Sequence, residues 1–436
     1  MDFSKGFFLT GAAFLLLGGT FVGGMMSVKR DMGIYHAVWG TLDSVKTLIE
    51  EIPNLRGTEP IHFLRPARYE GQGVTVNDGA KADDLILLSG FLEDDNKVRL
   101  IRRDGTQIAE WVLRASEIYP DTSFFRQPPM TDWNAITHGT IITPDGDIVF
   151  SFESGGLVRM DRCGAVKWAS TEITHHSPNW LGNGDIVISG GRHMEGPEPV
   201  AWPFDGPYWE DLVFKFDKDG KKTFEKALTT LMIENGLESL MTATGQFSTR
   251  VNGEFHLNEV EELPTSLAAD FPMFQAGDLL LSIRNRNMIL VTDANVTRIK
   301  WWKVGPFVRQ HDPDFQSGGK ITLFDNHSDD SMTADHAGGS RIWEIDVTSG
   351  AARTLYGGRD GQRIYSPERS THQLQASGDL MITEAQQGRA FEVTPSGKVV
   401  WEYVNRWDAG RVAWLHDAEA YDPSYFTVQD WSCPAN

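Results

Sequence analysis

Six times along the chain, a polar turn is followed by a short strand that ends on or near a large apolar residue. The copies run from Asp104-Gly105 to Trp111, Asp161 to Trp168, Asp219-Gly220 to Phe224, Asp293 to Trp301, Ser349-Gly350 to Tyr356 and Ser396-Gly397 to Trp401, with successive ends 45 to 77 residues apart. A second pattern precedes several copies, a glycine-centred turn that opens an apolar strand. It recurs as Asp145-Gly146 before Ile148, Asn183-Gly184 before Ile186, Gly277 before Leu279, Gly318-Gly319 before Ile321 and Ser377-Gly378 before Leu380. Units of about 40 to 60 residues, each a few strands punctuated by turn glycines, are the sequence form of a β-propeller. Six copies predict an all-β, six-bladed β-propeller. Such a fold gathers one residue per blade around a central axis, so residues far apart in sequence can share one pocket.

A chain of 436 residues is long for one domain, but a propeller grows by repetition. Fourteen Trp and 43 Gly suit aromatic packing between blades and many tight turns. The formal net charge of -20 argues against a nucleic-acid partner, which needs a basic face, and gives no global steering of an anion. An anion site has to be locally positive against that background. The two cysteines, Cys163 in the turn of the second repeat and Cys433 near the C-terminus, could tie the tail to a blade in an oxidising compartment.

The N-terminus is a separate element. Phe7 to Met26 is 20 residues without a charge, enough to span the roughly 30 Å of a bilayer's hydrocarbon core. It is longer than a signal-peptide core and has no Ala-x-Ala cleavage site, so it reads as an uncleaved transmembrane helix. Gly19 and Gly23 form a small-xxx-small face suited to a membrane-protein partner. Lys5 on one side and Lys29 and Arg30 on the other leave the orientation open. Next, Ile34, Val38, Leu42, Val45, Leu48, Ile49 and Ile52 recur at helical spacing, and Pro53 is expected to end that short amphipathic helix. The organisation expected is an anchor over 1–30, the amphipathic helix and a linker over 31–79, and the propeller over 80–436.

Histidines stand a few residues ahead of the inner-strand turns: His138, His175 and His176, His256, His311, His372, and His416 close to the end. A recurrent offset implies equivalent places in successive blades, converging near the axis. Around them are four local patterns: His256-Leu-Asn258 with an apolar stretch after it, Ser282-Ile-Arg284 at a strand end, Gln310-His311 with Phe324-Asp-Asn326, and His175-His176 ahead of Asn183-Gly184. In this order they resemble the bacterial arylsulfate sulfotransferases, over roughly residues 130 to 420.

That resemblance implies a propeller that moves a sulfuryl group from an aryl sulfate to a phenol, with no cofactor and no metal. His311 would be the transiently sulfated residue, assisted by His176, His256, Asn258 and Arg284. The residue types suit the chemistry. Neutral imidazole is a competent nucleophile near pH 7, and a sulfated intermediate splits one transfer into two easier ones. A guanidinium presents a planar, permanently charged fork to sulfate oxygens. The resemblance also implies a periplasmic propeller held at the inner membrane by residues 7–26 as a single pass.

Some features depart from the family pattern. Glu259 to Ile283 is a long connection that could fold across the axis, His327 stands where glycine is expected, and Asp312 next to His311 would oppose an anion if it pointed into the pocket. Arg286 is expected to point the same way as Arg284. Two other classes stay open: a non-catalytic subunit docking on a membrane complex, and a hydrolase using Asp312, Asn326 and Glu259 around a calcium ion.

Overall fold

A computed structural model describes residues 46, 49–79, 81, 83–195, 207–241, 255–329, 331, 333–334 and 336–434. Two compact units are distinguished, one up to Ile61 and one from His62 onward. In the first, residues 49–55 are helical, so Pro53 does not end the helix as expected, and the expected helical positions Ile34, Val38, Leu42, Val45 and Leu48 lie outside the described residues. Proline removes only its own N–H, and its carbonyl still accepts from Thr58 N at 2.9 Å. Phe7–Met26, with Gly19 and Gly23, lies outside the described residues. Among the described residues, no helix is long and apolar enough to cross a membrane.

The second unit is a six-bladed, all-β propeller of antiparallel sheets. Blade 2 is Thr137–Ile142, Ile148–Phe152, Leu157–Met160 and Val166–Ala169, counted from the axis outward. Blade 3 is Asn179–Trp180, Ile186–Met194, Tyr208–Phe216 and Lys222–Ala227; blade 4 is Leu257–Glu262, Leu279–Ile283, Met288–Thr292 and Ile299–Val304. Blade 5 is His311–Gln316, Lys320–Asp325, Arg341–Asp346 and Ala352–Gly357. The ring closes twice. The inner strand of blade 1 is C-terminal, Leu415–Tyr421, and pairs with Leu85–Leu92, followed by Asp95–Arg102 and Gln107–Val112. Blade 6, His372–Leu374, Leu380–Glu384, Arg389–Val393 and Val399–Val404, takes the N-terminal strand Gly73–Asn77 on its outer edge. The propeller therefore begins ahead of residue 80. At the C-terminal closure a Cβ on Gly90 would stand 2.7 Å from the Trp414 carbonyl oxygen, so only glycine lets the two strands approach.

The large residues of the repeat all fall on the fourth strand of their blades, and they explain its spacing. Indole N–H groups donate to the turn of the next blade: Trp111 to the Asp161 carbonyl at 2.8 Å, Trp168 to Lys218 at 3.0 Å, and Trp401 to Arg103 at 2.9 Å. Each ring thus fills the gap between blades and satisfies a turn carbonyl. Blade 3 ends on Phe224, which has no N–H, and there Lys215 reaches the Ala294 carbonyl at 2.7 Å. In blade 4, Lys303 reaches Gly350 at 3.0 Å. The tail beyond the inner strand of blade 1 runs onto blade 2, where Thr427 N bonds the Pro144 carbonyl and a Cys163–Cys433 disulfide fixes it.

Candidate functional site

Four of the six inner strands share one irregularity. Their pairing with the second strand slips between Thr137 and Thr140, Leu257 and Glu259, His311 and Asp314, and Leu415 and Asp417. A bulge at the same place in four blades re-aims the side chains around it. His138, Asn258, Asp312 and His416 occupy these slips. The approaches to the strands are also conformationally unusual, with positive φ at His176 (65°), His256 (58°) and Asp312 (55°). Non-glycine residues hold such angles only where their surroundings impose them.

The result is a cluster of imidazoles at one end of the axis. The ring of His176 stands 4.3 Å from His138, 4.9 Å from His175, 5.0 Å from His256 and 5.8 Å from His311, centroid to centroid. Three of the expected residues, His176, His256 and His311, thus come together from blades 3, 4 and 5. Burial, then the charges of neighbouring groups, pushes His138, His176 and His311 well below the ordinary histidine pKa; for His311 the Arg284 guanidinium is the leading charge. These rings are neutral at pH 7.

His311 is the most tightly specified. Its Nδ1 lies 2.6 Å from Asn326 Oδ1. The Asn326 amide nitrogen donates to the carbonyls of Ser366 at 2.9 Å and Arg369 at 2.8 Å, which orients the amide with its oxygen toward the ring. Nδ1 therefore carries the proton, and Nε2 keeps its lone pair. Asn326 stood in the sequence within Phe324-Asp-Asn326, but nothing local revealed that it sets the tautomer.

The other expected residues are placed by specific contacts. Asp211 of blade 3 accepts from the backbone N–H groups of Phe255, His256 and Leu257, which fixes the start of blade 4. Arg284 opens a short turn whose N–H bonds the His256 carbonyl at 3.0 Å, so the two residues are held side by side. Because Arg284–Arg286 is a turn and not a strand, Arg286 does not point the same way. Its guanidinium donates to the Leu240 and Met241 carbonyls and lies over Phe255. Asn258 is buried and donates to the Gln310 carbonyl at 2.7 Å, which steadies the residue before His311.

The departures from the family pattern resolve as follows. Asp312 turns away from the imidazole cluster and accepts from His372 N at 2.5 Å and Nδ1 at 2.8 Å. His327 has φ of 45°, the backbone conformation a glycine there would take. The Glu259–Ile283 connection does not cross the histidines. It joins the far end of the inner strand to the second strand, where Phe271 and Phe274 pack on Phe315 and Asp270 accepts from Gly318 N. The Asp312, Asn326 and Glu259 set for calcium does not form: the Asn326 oxygen faces His311, and Glu259 accepts from Asn179.

Arg369 was not foreseen. Buried beside the cluster, it donates to the Thr137 carbonyl at 3.1 Å and pairs with Glu153. The mouth over the histidines is a cavity of about 390 Å³ bordered by Arg126, Asn134, Ile136, Glu153, His176 and His256. Farther along the axis the character reverses. A second cavity, of about 220 Å³, is lined by Glu259, Glu261, Asp312, Asp314, Asp417 and Glu419. Burial, then mutual repulsion, raises the pKa of Glu259 and Asp314, and Glu419 is pushed up to about 8.

Residues 139–406 match the protein family described as arylsulfotransferase (ASST). Comparison with curated proteins gave no match. Among solved structures, a protein of unknown function from Bacteroides caccae is 12% identical with a TM-score of 0.49, covering 78% of this chain and 98% of its own. Virginiamycin B lyase from Staphylococcus aureus is 15% identical with a TM-score of 0.40, covering 78% and 87%. The family match spans most of the propeller, and the chain belongs to the arylsulfotransferase family, a group of sulfotransferase-type enzymes.

Proposed function

We propose that the protein transfers a sulfuryl group from an aryl sulfate to a phenol through a sulfohistidine at His311. The observation that carries this reading is the tautomer: Asn326 holds the Nδ1 proton of a buried, neutral His311, leaving the Nε2 lone pair facing the imidazole cluster. In the first half-reaction Nε2 forms the N–S bond as the S–O bond to the aryl group breaks, and the phenolate leaves with the electron pair. In the second, the acceptor phenol attacks sulfur and gives its proton to His176, which releases it to water, balancing the proton that the departed phenolate takes from water. The N–S electron pair returns to Nε2, so the enzyme is regenerated.

Arg284 and His256 hold the sulfate oxygens in this scheme, where a guanidinium supplies charge-assisted hydrogen bonds. Asn258 acts through Gln310 by fixing the approach to His311. Residues 7–26 anchor the chain in the inner membrane with the propeller in the periplasm, and the Cys163–Cys433 bridge supports an oxidising compartment. Gly19 and Gly23 offer a face to a membrane partner. Initial-rate kinetics with varied donor and acceptor test the reading: parallel double-reciprocal lines are expected, with Arg284→Ala costing about 3 kcal/mol of transition-state stabilisation. Intersecting lines, with no effect of Arg284→Ala, would contradict it.

A further inference from the structure

The acidic cavity holds one side chain that its own hydrogen bonds leave unfinished. His372 opens the inner strand of blade 6, and its side chain is 0% exposed. Nδ1 lies 2.8 Å from Asp312 Oδ2, whose second hydrogen bond comes from the His372 backbone N–H. A carboxylate accepts, so Nδ1 donates to it, and in the neutral ring Nε2 presents a lone pair. Among the described residues, Nε2 has no hydrogen-bond partner, although it is buried. What it faces is Asp314 Oδ2 at 3.6 Å, beyond hydrogen-bond reach and itself a bearer of lone pairs.

Two lone-pair donors held face to face need something positive between them. A water donating to both would hold its two acceptors about 4.4 Å apart, given hydrogen bonds of about 2.8 Å across a tetrahedral-type angle. A metal ion with bonds of about 2.1 Å at a tetrahedral angle holds its donors about 3.4 Å apart. The observed separation fits the metal. One donor atom each from Asp312, Asp314 and His372 lies within 4.8 Å of the others. A histidine whose second nitrogen donates to a carboxylate is also the usual form of a metal-bound imidazole, because that contact fixes the tautomer and the ring plane.

We propose that His372 Nε2 and Asp314 bind one divalent cation of the zinc or manganese class in the axial channel, with Asp312 orienting the imidazole through Nδ1. An imidazole nitrogen with carboxylate oxygens suits these ions, whereas calcium and magnesium favour oxygen alone. Glu259, Glu261, Asp417 and Glu419 line the same cavity, so further carboxyl oxygens lie along the channel. The site lies beyond the imidazole cluster along the inner strands and does not depend on the transfer reaction. Its effect there would be electrostatic, offsetting carboxylate charge beneath the position of an anionic substrate.

The test uses purified full-length protein stripped with a chelator and titrated with manganese under electron paramagnetic resonance. One tightly bound ion per chain is expected, with spin-echo modulation from a single imidazole nitrogen and displacement by zinc. Asp314→Asn, an isosteric change, should weaken binding about tenfold or more. His372→Gln should remove the nitrogen modulation. Absence of saturable binding at millimolar manganese, or a bound ion without nitrogen modulation in the unaltered protein, would overturn the proposal. So would nitrogen modulation that persists in His372→Gln, and each of these readings stands whether or not sulfuryl transfer is found.

Discussion

At the scale of single residues, the site depends on which protons are fixed and which lone pairs are exposed. Asn326 decides this for His311 through one contact of 2.6 Å. Replacing it with Leu removes the acceptor for Nδ1–H, and leaving one buried donor unpaired costs about 1–3 kcal/mol. We expect kcat to fall roughly 10- to 100-fold with little change in KM, measured against a folded variant. The neutral histidines also leave a mark on stability. Below the unfolded-state pKa of about 6.5 the unfolded chain takes up a proton that buried His138 refuses, so its contribution to stability falls as pH drops. The channel carboxylates, held protonated by burial, act in the opposite sense, so only a difference isolates the histidine. The His138→Gln variant should gain on the unaltered protein by about 1.4 kcal/mol per pH unit as pH falls from about 6.5 toward 5, read from denaturant midpoints. A constant difference across that range would show that His138 is protonated in the native state.

At the scale of elements, the repeat was legible because its physics is local. A polar turn with glycine at positive φ, as at Gly105 and Gly220, and a fourth-strand aromatic that reaches the next blade recur at readable spacing. Trp401 tests this most sharply, since it joins blade 6 to blade 1 and is fully buried. Trp401→Ala should cost about 3–5 kcal/mol in chemical denaturation, well above a surface aromatic such as Trp302. What the sequence did not reveal is equally specific. The pairing of Gly73–Asn77 with Val399–Val404 joins segments more than 300 residues apart, and no local period encodes it. Arg284 and Arg286 looked parallel under strand alternation, but the chain turns there. Histidine offsets suggested convergence, whereas Asn326, Arg369 and the His372–Asp312 contact depend on backbone geometry that only the folded ring supplies.

At the scale of the whole molecule, the axis is divided between two kinds of charge. Neutral imidazoles with Arg284 and Arg369 occupy one part, and carboxylates occupy the next. A chain of net charge -20 can thus offer an anion a local site that its composition conceals. The central claim is that His311 carries the sulfuryl group between two phenols, and intact-mass analysis after brief incubation with an aryl sulfate reads it directly. The account predicts one added sulfuryl group per chain, localised to His311 on peptide mapping, lost when a phenol is added and absent from His311→Ala. An unmodified protein that still turns the aryl sulfate over, or an equal adduct and full turnover in His311→Ala, would contradict it.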